Sequence, residues 1–430
     1  MDTQIKGKRL LILGGTFASL DLVKNAKEMG VYTIVTDDND TGVAKELADE
    51  TAKVSTTDMD GLAALIQERD IDGVFCGPSE FNLRNLIALC EKTGLPCYTD
   101  MATWDRCANK DEFKQYCIDY GVDCPREFFV DENSDEEELD AVDYPVIVKP
   151  VDGCSSAGIS VSMDKTTIRE ACRFARAASK SGKIVVEKYI DNGGEIFGAR
   201  YVIKNGEAIP YLLIDTYVVD PVGRKSLISG FTHTPSKYSA YYMENMDTAV
   251  RKMLKGMGIQ NGTAFFQALP YNGKIYFHEM GYRLSGGMIF KLTEPLMGIN
   301  DMKMMIRLAL GGDMYTTAEQ EKLDIRCGGK RGAQLMIPLC AGKIGSVEGL
   351  ETVKAIPCVK DFIQYYYAGQ SVLERSIGTL GQHFGRFTFI ADTDKEIFDA
   401  VEQIHHTLVV RDTDGNRMNQ MLFDLKRISK

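Results

Sequence analysis

Apolar residues in the first hundred positions fall into short runs separated by stretches of helical period. Arg9-Leu-Leu-Ile-Leu13 and Val31-Tyr-Thr-Ile-Val35 have the length and side chains of buried strands, and 20–29 between them reads as a helix stopped at Gly30. Ile71-Asp-Gly-Val-Phe-Cys76 and Leu95-Pro-Cys-Tyr98 predict two more strands around a helix over 82–93. Strands alternating with helices predict a parallel, doubly wound sheet. Residues 105–122 then have the spacing of one amphipathic helix, with Cys107, Phe113, Tyr116 and Cys117 on one face. After the solvated acidic run 131–140 come the strand Val146-Ile-Val148, a helix over 169–180 and a strand over 183–190.

Periodicity changes further along. Residues 196–219 alternate as antiparallel strands about Lys204-Asn205-Gly206, a helix covers 241–257, and 263–269 pairs with 274–279 around Asn272-Gly273. A helix over 300–310 ends at Gly311-Gly312. From about 325 the strands 333–339, 362–368 and 384–391 and the helix 394–408 predict a compact α+β unit.

At 430 residues the chain exceeds one core. The expected division is an α/β domain over 1–104, a central α+β domain over 105–312 and a C-terminal α+β domain over 313–430. A net charge of −11 argues against general nucleic-acid binding. No apolar run reaches membrane-spanning length and the start lacks a signal-peptide core, so a cytoplasmic protein without membrane partners is expected. Eleven scattered cysteines without a Cys-x-x-Cys pair read as reduced thiols.

Candidate chemistry concentrates in two places. The run Tyr144-Pro-Val-Ile-Val-Lys149 leads straight into a small-residue loop with Gly153, Ser155, Ser156 and Gly158. A cation leaving a strand beside backbone N–H groups and hydroxyls suits a polyphosphate. In the hairpin about Asn272-Gly273, Gln267 and Glu279 are candidates for a same-face pair whose hard oxygens suit magnesium, with manganese as an alternative ion. Arg283 follows at a distance suited to a bidentate grip on a carboxylate, and Ser285 and Gly286 form another small-residue turn. The early turn Gly14-Gly15-Thr16 lacks a complete dinucleotide fingerprint, although Asp37 and Asp38 stand near the place of a ribose-binding acid. It reads as a helix N-terminus that helps hold a small anionic substrate or has no ligand.

With these residues in this order, the chain resembles the ATP-grasp superfamily of carboxylate–amine and carboxylate–thiol ligases, including carbamoyl-phosphate-synthase-like and biotin-carboxylase-like proteins. The resemblance implies that residues 1–104 bind substrate, that about 123–188 form a mobile lid, that Lys110 and Lys149 touch ATP phosphates and that the loop 153–158 closes over them. It implies that Glu187, Lys188 and Ile190 form the hinge at the adenine edge, and that Glu195 contacts the ribose. Gln267 and Glu279 fall on metal-ligand positions, and Arg283 on the arginine that steadies the acylphosphate centre. His233 and Lys237 fall in an interval where such proteins place basic substrate-binding residues. The expected activity is ATP-dependent, ADP-forming ligation of a small carboxylate to an amine, with a homodimer compatible with the resemblance. Rivals are a purine-pathway carboxylase or ligase, a low-turnover ATP-binding regulator and, weakest, a hydride-transfer enzyme. One departure stands out: the usual Glu-x-Asn-x-Arg reads Glu279-Met-Gly281-Tyr-Arg283, so a ligand for a second metal is missing. Gly281→Asn is expected to restore it.

Overall fold

The computed structural model describes residues 4–151, 158–219, 228–420 and 423–428. The N-terminal part is a parallel sheet in the order Glu50–Ala52, Tyr32–Thr36, Arg9–Leu13, Gly73–Phe75. Its central strand is apolar throughout because both faces are covered, and Leu10 through Leu13 are fully buried. The short edge strand Glu50–Ala52 and the helix Met59–Glu68 escape the periodicity reading. Leu95–Tyr98, in contrast, is no strand. The chain turns at left-handed Gly94, and Tyr98 packs edge-on against Tyr282 at 5.3 Å. The Tyr98 hydroxyl donates to Tyr282 O at 3.3 Å and the Tyr282 hydroxyl to Tyr98 O at 3.1 Å. These two phenols tie the parallel sheet to the central part of the chain.

The expected helix 105–122 is two helices, Met101–Ala108 and Lys110–Asp119. Asn109 breaks it: its carboxamide oxygen accepts from the N–H groups of Asp111 at 2.9 Å and Glu112 at 3.2 Å, an N-cap that starts the second helix. Lys110 therefore occupies a helix's first residue. The stretch 241–257 likewise divides into Ser239–Asn245 and Asp247–Gly256.

An eight-stranded sheet forms the base of the site, in the order Lys274–Gly281, Gly262–Tyr271, Glu195–Lys204, Glu207–Val219, Ile228–Thr234, Arg331–Pro338, His383–Ala391, Val359–Gln364. The last three come from beyond residue 313, so this sheet runs across the boundary expected there. A smaller antiparallel sheet joins Glu127–Phe128, Ile184–Lys188, Val146–Pro150 and Ser160–Ser162. The helix Ile168–Ala178 covers it with Ile168, Ala171, Cys172 and Ala175, closing a separate small core. Among the described residues no helix is long and apolar enough to cross a membrane.

Candidate active site

The small sheet and the hairpin edge of the large sheet bring charged side chains together. Lys149, on Val146–Pro150, and Lys114, on Lys110–Asp119, both pair with the buried carboxylate of Glu187. Burial alone would raise the Glu187 carboxyl, but Lys149 and Lys114 override it and hold it below the ordinary range. Lys110 belongs to the same field: burial lowers its ammonium pKa, and Lys149 pushes it the same way. The resemblance placed Glu187 at the adenine edge, whereas its carboxylate is the buried counterion of Lys114 and Lys149. Lys149 is accordingly not an exposed strand end.

Gln267 and Glu279 stand directly opposite each other in the hairpin register, as their alternation predicts. Just beyond that pair the register slips, with Ala268 facing Phe277, so His278 is the extra residue of a β-bulge. The bulge brings His278 to line a small cleft with Lys110, Lys149 and Glu187. Burial, reinforced by Lys149, lowers its imidazole pKa to about 4, and its Nε2 has no hydrogen bond among the described residues. Sequence reasoning assigned His278 no role. A bulge leaves no mark in an alternating pattern.

Arg283 donates from Nη2 to Glu80 Oε2 at 3.1 Å and from Nη1 to Leu284 O at 3.0 Å. Its guanidinium lies over the Phe265 ring at 5.1 Å, and the buried Arg200 guanidinium stands 5.1 Å from the same ring. That ring explains Gly281. A Cβ at Gly281 would lie 2.2 Å from Phe265 Cζ and 2.3 Å from Cε1. The space of the missing asparagine is thus filled by an aromatic side chain packed on Arg283, and the expectation that asparagine would fit is overturned.

Other candidates separate. Lys188 is drawn away from the cleft, its Nζ donating to Asp143 Oδ1 and Tyr144 O at 2.9 Å and its N–H to Arg126 O at 2.8 Å. The Tyr189 N–H donates to Pro145 O at 3.0 Å. Among the described residues the Ile190 N–H makes no backbone hydrogen bond. Glu195 and Lys237 form an ion pair at 3.0 Å, with the ammonium 5.3 Å from the Tyr238 ring. His233 is not with them: its Nε2 bonds to Asp394 Oδ1 at 2.8 Å, at the start of the helix Asp394–Thr407, and its ring faces Phe398. It joins that helix to the large sheet, which corrects the substrate-binding expectation. Gly153, Ser155 and Ser156 lie outside the described residues. Gly158 takes φ +74°, and a Cβ there would stand 2.5 Å from the Ala178 Cβ.

Two cavities flank the segment 279–286. One, of about 290 Å³, is lined by Lys110, Glu279, Gly281 and Arg283 together with Glu80 and Trp104. The other, of about 680 Å³, is lined by Ser285 and Gly286 and by the first turns of the parallel sheet. Ser79 and Phe81 line the larger cavity while Glu80 lines the smaller, so the Glu80–Arg283 pair stands at their boundary. At the Gly14-Gly15-Thr16 turn, the Gly15 N–H already donates to Asp37 Oδ2 at 2.8 Å. The helix that follows begins at Phe17, with no side-chain hydrogen bond from its Thr16 cap and no acid in its first turn.

With the lysines of the small sheet on one side and the Gln267/Glu279 pair of the hairpin on the other, the chain is similar to proteins of the ATP-grasp superfamily. Residues 109–317 match the family described as carbamoyl-phosphate synthase L chain, ATP binding domain. The formate-dependent phosphoribosylglycinamide formyltransferase of Sulfolobus acidocaldarius is 27% identical over 313 residues, covering 71% of this chain and 76% of that protein. The fold is shared with a phosphoribosylglycinamide synthetase from Anaerococcus prevotii at TM-score 0.74 and 20% identity, covering 95% of this chain and 100% of that one. It is shared equally with an L-amino acid ligase from Bacillus licheniformis at TM-score 0.75 and 20% identity, covering 95% and 99% of the two chains. A third is the biotin carboxylase domain of the Hydrogenobacter thermophilus 2-oxoglutarate carboxylase, a dimer solved with MgADP and bicarbonate, at TM-score 0.72 and 17% identity over 96% and 91%.

Proposed function

We propose that the chain is an ADP-forming carbon–nitrogen ligase that activates a small carboxylate with ATP. The observation that supports this reading is that Glu279, directly opposite Gln267 in the hairpin, lines one cavity with Lys110 and Arg283. A carboxylate oxygen attacks the γ-phosphorus, giving an acylphosphate and ADP, and an amine then displaces phosphate to form the C–N bond. The protein contributes alignment and charge neutralisation. Lys110 and Lys149 face the phosphates, with Glu187 keeping the cluster balanced. The N–H of Ile190 reads the adenine edge, and Glu195, held by Lys237, meets the ribose. Arg283 steadies the charge that develops at the acyl centre.

Among the described residues no group of three His, Cys, Asp or Glu side chains is assembled to hold a metal ion. Gln267 and Glu279 offer hard oxygens that fit magnesium, or manganese, once nucleotide phosphates supply further ligands. Such an ion would neutralise charge on the β- and γ-phosphates. With Gly281 closed off by Phe265, the pair suits one protein-held ion. The small-molecule substrates fit a cytoplasmic setting, and a homodimer is the assembly proposed.

Glu279→Gln tests the reading. The variant should keep its fold and lose release of ADP, measured by nucleotide chromatography after incubation with Mg-ATP and a mixture of carboxylates and amines. ADP release at the parent rate would refute the site.

A further inference from the structure

The chain enters the small sheet through residues 120–126 and leaves it through 189–194. The entry is held by the edge strand of the large sheet: the Phe277 N–H donates to Asp123 O at 2.8 Å, and Lys274 meets Asp123 at 3.0 Å. The exit is built differently. It runs through Gly193 and Gly194, both left-handed at φ +70° and +75°, and two such glycines in a row leave the backbone more freedom than any residues with a Cβ. The exit ends at Glu195, the first residue of the large-sheet strand Glu195–Lys204.

Two side chains hold this exit. Asn192 donates Nδ2 to Glu195 O at 2.6 Å and to Pro270 O at 3.2 Å, and its Oδ1 accepts the Gly194 N–H at 3.2 Å. The other is Arg427, 234 residues from Gly193 in sequence. Its Nη2 donates to Gly193 O and stands 3.5 Å from Gly194 O, while its Nη1 donates to Val218 O. The Val218 N–H in turn donates to Gly194 O at 3.0 Å, so one guanidinium spans the turn and the strand end beside it. Phe423 anchors the segment that delivers Arg427. Its buried ring stacks on Phe231 at 5.0 Å and lies 5.5 Å from Tyr217, the residue directly across from Glu195. The guanidinium itself lies 5.7 Å from the Phe423 ring and 6.0 Å from that of Tyr217. Reaching two carbonyls at once uses the planar fork of arginine, which an ammonium lacks.

We infer that Arg427 is a positioning residue for the nucleotide: carried on the segment 423–428, it clamps the Gly193-Gly194 turn and so fixes Ile190 and Glu195 against the large sheet. The inference rests on the ligase reading above, which puts the adenine edge at Ile190 and the ribose at Glu195. Without the clamp the two glycines take other conformations, and the apparent affinity for nucleotide falls in proportion to the fraction of chains left competent. The loss belongs to the adenosine end of the ligand. ATP and ADP therefore lose affinity alike, since Lys110 and Lys149 are held by other elements.

The test compares the full chain with Arg427→Ala, Arg427→Lys and, at the exposed neighbouring position, Lys426→Ala as the control. Amide hydrogen exchange over 190–195 is read without nucleotide, and Mg-ATP and Mg-ADP affinities by calorimetric titration. Arg427→Ala should speed exchange over 190–195 by about tenfold and weaken both nucleotides by about fivefold or more, by equal factors. Arg427→Lys should recover only part of each effect, and Lys426→Ala should match the parent. A urea transition as cooperative as the parent's shows that the variants are folded. The inference is overturned if exchange over 190–195 stays at the parent rate in Arg427→Ala, if exchange rises while both affinities stay unchanged, or if ATP weakens and ADP does not. A parent that binds no Mg-ATP would sink the ligase reading and this inference with it. Normal binding by the parent with unchanged affinity in Arg427→Ala would sink only this one.

Discussion

Gly281 shows how one residue redirects a motif. Taken alone, a glycine in the asparagine position reads as a lost metal ligand. In the fold it is the space that the Phe265 ring occupies beneath Arg283. Gly281→Asn should therefore overpack the hairpin, costing about 1–3 kcal/mol and lowering turnover. Urea unfolding and ADP release check this, and a variant of unchanged stability with higher turnover would contradict it. The compensating change lies in a strand partner, because Phe265 sits directly across from Gly281, so Phe265→Ala should relieve part of the loss. His278 gives a prediction in pH. Its folded pKa of about 4 lies below the ordinary imidazole value of 6.5, so between these values the unfolded chain binds the extra proton. His278 thus contributes stability that is present above pH 6.5 and lost as pH falls toward 4. His278→Gln should lose less stability than the parent between pH 7 and pH 5, and equal losses would show that the imidazole stays in water.

Elements carry what single residues cannot. The strand Val146–Pro150, the hairpin about Asn272-Gly273 and the pairing of Gln267 with Glu279 are readable from β-branched runs and strict alternation. The two helices meeting at Asn109 are not, since an N-cap inside a continuous apolar stripe changes no periodicity. Nor is the bulge that turns His278 to the lysines, or the strand Glu50–Ala52, too short to show a pattern. Gly158 has a requirement of its own. Its φ of +74° and the approach of Ala178 leave no room for a side chain where the lid hairpin returns against its helix. Gly158→Ala should cost about 1–2 kcal/mol from the left-handed backbone alone and weaken Mg-ATP binding through the lid. Calorimetric titration of Mg-ATP measures it, and unchanged affinity would mean that this turn does not shape the nucleotide site.

At the scale of the whole molecule, Arg283 joins the helix at Glu80 to the hairpin edge of the large sheet, between the cavity proposed for phosphates and one lined by Asp21, Asp37, Asp38 and Asp301. Alternating strands and helices made the first part of this legible, and the antiparallel turns the second. What sequence could not reveal is that strands from both sides of residue 313 build one sheet, because register over such separations depends on packing rather than local pattern. It also could not reveal that His233 reaches Asp394 instead of the site. The central claim is that the terminal phosphoryl group of ATP is the one transferred. The direct measurement supplies the full chain with Mg-ATP labelled at the γ-position, a carboxylate pool and free amines, and identifies the nucleotide and phosphate products. The account predicts ADP with label in inorganic phosphate. AMP with label in pyrophosphate would contradict it.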